Sequence, residues 1–182
     1  MNILNSVRAP GVFKLLGIAL LIALAGCATA RHVPTAASPA ERKSEFQSDL
    51  DQAEVTGTGA GVNILKVGRK MVDDEVVVQG GCWDFINEMF RRAGFAEKNL
   101  HAVFKSHKGG PYASVNKIQP GDWLYYINHS YGNIEHSGVF VSWSNLKKKE
   151  ALVLSYRGEK SSVRGRYSTY ILNNVYRIMR AE

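Results

Sequence analysis

The apolar positions Cys82, Phe85, Ile86, Met89, Phe90 and Ala93 recur at offsets 0, 3, 4, 7, 8 and 11. That spacing is one face of an α-helix, and Gly94 supplies its C-terminal stop. An earlier helix is predicted over 61–72, where Val62, Ile64, Leu65, Val67 and Met71 fall mostly on one face and Asp73-Asp74 ends the pattern. Between the two, Glu75 to Gln79 reads as a short β-rich run, and Gly80-Gly81 lets the backbone turn sharply into the second helix. Downstream the periodicity changes. A Pro120-Gly121-Asp122 turn leads into Trp123-Leu124-Tyr125-Tyr126-Ile127. His136 to Trp143 forms the next strand, a lysine-rich turn follows, Ala151 to Tyr156 is a third strand, and Asn174 to Arg180 closes the chain. Helices followed by short strands predict an α+β domain with helices packed on a small antiparallel sheet.

The N-terminal pattern is different. Arg8 and Lys14 precede an uninterrupted small and apolar stretch, Leu15 to Ala25, and no acidic residue occurs before Glu41. A bilayer-spanning helix needs roughly 20 apolar residues, so the short stretch reads as a signal peptide over 1–26 rather than a permanent anchor. Residues 27–60 read as a tether. The segment from Ala28 to Ala40 has little to bury, a short polar helix is expected within Ala40 to Val55, and Thr56-Gly57-Thr58-Gly59-Ala60-Gly61 breaks the chain. The folded domain is accordingly expected over 61–182.

The net charge is +7, and removing Arg8 and Lys14 with the signal leaves +5. The basic residues are dispersed, and Lys147-Lys148-Lys149 reads as a solvated turn. Mild basicity in an exported protein suits an anionic envelope polymer or lipid surface better than nucleic acid. His32, His101, His107 and His129 lack metal-ligand spacing, so neither a metal nor a cofactor is expected. Ser114-Val115-Asn116-Lys117 matches a Ser-x-x-Lys pattern by chance, without its Lys-Thr-Gly partner. The alternating glycines at 57, 59 and 61 follow no predicted strand and are no phosphate loop.

Only two cysteines occur, Cys27 and Cys82. Cys82 opens the most regular helix, where free amides and the positive end of the dipole favour a thiolate. A histidine on the following sheet, His136, would complete a thiol and base pair. A buried core cysteine is the bland alternative.

Leu24-Ala25-Gly26-Cys27 resembles the lipobox of bacterial lipoproteins, which implies acylation of Cys27 and a membrane attachment without a spanning helix. By the same resemblance, Ala28 after the cysteine implies the periplasmic face of a Gram-negative outer membrane. From Val62 to Arg180 the chain resembles the NlpC/P60 branch of the papain-like cysteine hydrolases. The resemblance rests on Gly81-Cys82-Trp83-Asp84-Phe85-Ile86, Ile118-Gln119-Pro120-Gly121-Asp122-Trp123 and His136-Ser137-Gly138-Val139-Phe140-Val141, in that order. Gly80-x-Cys82-x-x-Phe85 is also similar to the CHAP amidases. The family implies Cys82 as nucleophile, His136 as base, and a third polar residue on the next strand to orient the base. Ser155, Tyr156 and Glu159 are the candidates there, with Ser155 preferred. It further implies cleavage of an amide in peptidoglycan stem peptides through a thioacyl intermediate. Acyl transfer through the same intermediate, and a noncatalytic peptidoglycan-binding or scaffold lipoprotein that keeps the fold, are the competing readings.

Overall fold

The computed structural model describes residues 46–129, 131–160 and 164–182, with Glu97 as backbone only. The expected signal segment 1–26 and Cys27 therefore lie outside the described residues. Those described contain helices α1 (Gln47–Thr56), α2 (Gly59–Asp73) and α3 (Cys82–Arg92), and strands β1 (His101–Lys105), β2 (Trp123–Asn128), β3 (Ile134–Asn145), β4 (Glu150–Ser155), β5 (Arg166–Ile171) and β6 (Val175–Arg180). The strands form one antiparallel sheet in the order β1-β6-β2-β3-β4-β5. This is the α+β arrangement expected from the periodicities.

The sheet cannot be flat. β5 and β6 are separated in the sheet by β2, β3 and β4, a distance of about 19 Å at ordinary strand spacing. Only residues 172–174 join them, and that connection spans at most about 15 Å. The sheet therefore curls, and Tyr126 on β2 meets Tyr170 on β5 with ring centroids 5.8 Å apart. The helices cover the outer face of this curl. Phe85, Ile86, Met89 and Phe90 of α3 are fully buried against Trp123, Val139, Val141, Leu152 and Leu154, each contributing roughly 1.5–3 kcal/mol by burial. The inner face holds a second core of Leu124, Tyr126, Phe140, Val153, Val175 and Ile178, closed off by Ala113 and Ile118.

α1 moves the domain boundary. Its sequence looks polar, yet Leu50 and Ala53 are buried, and the helix packs on α2 and β3. Arg69 of α2 pairs with Asp51 and Glu54 of α1, both at 2.9 Å. The packed unit thus begins ahead of residue 61, and residues 47–60 belong to it rather than to the tether. The glycine run is a helix-to-helix turn in which Thr58 caps α2 by accepting the Gly61 N–H at 3.2 Å. Gly61 also lets the Pro-Gly-Asp turn dock. A Cβ on Gly61 would lie 2.4 Å from the Pro120 carbonyl oxygen, and one on Gly121 would lie 2.4 Å from the Gly61 Cα.

Two strands escaped the sequence pattern, and one expected strand is absent. β1 and β5 lie at the edges of the sheet, where no residue of either strand is fully buried and so no apolar pattern is imposed on the sequence. Residues 75–79 are not a strand. Val76 N–H closes on the Met71 carbonyl at the end of α2, and the Val78 carbonyl accepts the Tyr156 hydroxyl at 3.0 Å, partners that lie outside any sheet.

Candidate active site

Cys82 is the first residue of α3, half-buried, and forms no disulfide among the described residues. The chain enters the helix through Gly80, at φ +103°, where any Cβ would lie 2.1 Å from the Asp84 carboxylate. That carboxylate accepts the Gly81 N–H at 2.7 Å. The first intrahelical bond runs from Phe85 N–H to the Gly81 carbonyl at 3.2 Å. The N–H groups of Cys82, Trp83 and Asp84 precede it and have no acceptor within the helix. They form a set of donors beside the thiol of the kind that holds an oxyanion. Asp84 also offsets part of the positive potential at this helix end.

His136 reaches the same end of the sheet. Leu154 near the end of β4 pairs with Val139, so the first part of β3 extends past β4 with Tyr126 of β2 opposite His136. The chain leaving β4 turns there, and Glu159 N–H donates to the Gly80 carbonyl at 3.0 Å, which ties the start of α3 to this edge. Side chains alternate along a strand. Tyr125 and Ser137 share the face that α3 covers, where the Trp83 indole donates to the Tyr125 hydroxyl at 3.1 Å. Tyr126 and His136 point to the inner face, with ring centroids 5.6 Å apart, and Tyr170 lies 6.0 Å from His136.

Cys82 and His136 therefore share an end of the sheet but no hydrogen bond. The side chain between their surroundings is Tyr126. Burial first, and then Tyr170 and Cys82, push its hydroxyl well above its ordinary pKa. Burial, reinforced by the positive charges of Arg157 and Arg166, lowers His136 from 6.5 to about 4. At neutral pH the imidazole is uncharged and free to accept a proton, as a weak base.

The three candidates for the orienting residue separate. Ser155 lies on the inner face, 2% exposed, and shares a 2.9 Å hydrogen bond with the Tyr170 hydroxyl, so it bears on His136 only through Tyr170. Tyr156 stacks on Phe85 at 4.6 Å and belongs to the outer core. Glu159 is exposed and meets α3 through its backbone. Sequence reasoning missed Tyr170, Arg157 and Arg166. The pairing of Tyr126 with His136 follows from strand register alone, but Arg166 and Tyr170 sit on a strand that the pattern did not reveal. Asp122 fixes its turn, accepting the Gln119 N–H at 2.8 Å, and is clamped by Arg180 at 2.7 and 2.8 Å. Among the described residues, no group of three His, Cys, Asp or Glu could hold a metal ion. No helix among them is long and apolar enough to cross a membrane.

Comparison with protein-family models, with curated proteins and with solved structures finds no match to this chain.

Proposed function

We propose that the protein is a cell-envelope cysteine hydrolase of the NlpC/P60 and CHAP type that cleaves an amide in peptidoglycan stem peptides. The observation that carries this reading is that Cys82, at the start of α3, and His136, on the free end of β3, lie at the same end of the sheet. In the mechanism, His136 takes the thiol proton and the thiolate attacks the amide carbonyl. The N–H groups at the start of α3 hold the oxyanion. The imidazolium then gives its proton to the leaving amine, and water releases the acyl group from the sulfur. The lipobox-like Leu24-Ala25-Gly26-Cys27 supports attachment at the outer membrane, next to that polymer.

One observation favours the noncatalytic reading. His136 turns to the inner face among tyrosines and makes no bond to Cys82, as a structural histidine would. Digestion of purified sacculi separates the two. Solubilisation that disappears in both Cys82→Ala and His136→Ala, at unchanged melting temperature, supports the hydrolase. Sedimentation with sacculi without solubilisation supports the binding module.

A further inference from the structure

The inner face of the curled sheet carries donors without acceptors. Tyr126 is fully buried, and among the described residues neither its hydroxyl nor the buried Nε of Arg166 has a hydrogen-bond partner. Each such group costs roughly 1–3 kcal/mol, so two in one neighbourhood point to an acceptor from outside the fold. Arg166 pairs with Ser155 across β4 and β5 and shares the strand face of Tyr170. Arg157 leaves β4 at the same end, 5.6 Å over the Tyr131 ring. No ion pair among the described residues involves Arg157 or Arg166. His136 and Tyr170 are only half-buried and Arg157 is exposed, so the cluster is reachable from its His136 side.

We propose that His136, Tyr126, Arg166 and Arg157 form a binding site for the free carboxylate of a peptide. Arg157 and Arg166 supply the charge. The Tyr126 hydroxyl and the Arg166 Nε–H are two directional donors for the two carboxylate oxygens. A dianionic phosphate brings more charge and more acceptors into a half-buried site that has only these two orphan donors, so the carboxylate is the better match. The groups facing His136 are Tyr126 from β2, Tyr170 and Arg166 from β5, Arg157 beyond β4, and Cys82 from α3 by way of Tyr126. A carboxylate held here offsets the guanidinium charges on His136 and makes the imidazole a stronger base. That last consequence rests on the hydrolase reading, whereas the binding does not.

The experiment uses the full chain carrying Cys82→Ala, titrated with N-acetyl-alanyl-alanine, with its C-terminal amide and with inorganic phosphate. Calorimetry measures affinity, and imidazole NMR follows His136. The free acid should bind at least tenfold more tightly than the amide and raise the His136 pKa. Arg166→Gln should abolish that preference. Tyr126→Phe, which removes only an unpartnered hydroxyl, should weaken binding severalfold without lowering the melting temperature. Equal affinity for acid and amide, no binding of either, or unchanged affinity in both variants would overturn the site. Tighter binding of phosphate than of the acid would overturn the carboxylate assignment. Loss of binding while sacculi are still digested refutes this site alone, and binding without digestion refutes only the hydrolase.

Discussion

Replacing His136 by Gln should change how stability depends on pH. The imidazole sits at about 4 in the folded chain against an ordinary 6.5, through burial and then Arg157 and Arg166. Between those values the unfolded chain binds the proton more readily than the folded one. The stability gained by keeping the ring neutral is therefore fully present above pH 6.5 and is lost as pH falls to 4. At about 1.4 kcal/mol per pH unit, the loss from pH 7 to pH 4 is about 3 kcal/mol. Urea unfolding of both proteins at pH 7, 5.5 and 4 measures it, because carboxylates common to both, such as Glu88, which its hydrogen bonds to Arg91 and Arg92 lower to about 2, cancel in the difference. The wild-type minus variant stability should fall by about 3 kcal/mol across the range. Parallel curves would refute a buried, neutral His136, and with it the resting state assigned to the base.

Asp122→Asn leaves the Arg180 guanidinium without its carboxylate and should cost about 3–5 kcal/mol in urea unfolding, with part of the loss restored by a second change, Arg180→Met. Leu50→Ala should cost about 2–5 kcal/mol, since Leu50 is only 3% exposed. A value near zero would return α1 to the tether. Gly121→Ala forces a Cβ onto a backbone at φ +88° and into the Gly61 Cα, and should lower stability by more than about 2 kcal/mol, measured from the urea midpoint.

Helices α2 and α3 were legible because each buries one broad stripe against a sheet, and that demand writes a 3.6-residue period into the chain. β2, β3, β4 and β6 were legible as short, largely apolar runs bounded by turn residues, because the two cores bury them on both faces. α1 was legible as a short polar helix but its packing was not, because it contributes two buried residues, Leu50 and Ala53, and otherwise faces solvent or the Arg69 ion pairs. The end of β3 where His136 lies could be placed only through register with β2 and the early end of β4. Neither is written in spacing along one strand. The inner-face cluster depends on curl that brings β5 to β2, a long-range property fixed by the short connection over 172–174. Ser155 lies on the face that His136 shares, but its partner, Tyr170, came from the strand that the pattern hid.

The most direct measurement is mass spectrometry of fragments released from purified peptidoglycan sacculi by the full chain and by its Cys82→Ala variant. Stem-peptide fragments with one newly exposed amine and carboxylate, present with the wild type and absent with the variant, are the expected result, and their masses name the bond. Identical fragments from both proteins, or none from a folded wild type, would contradict a hydrolase built on Cys82.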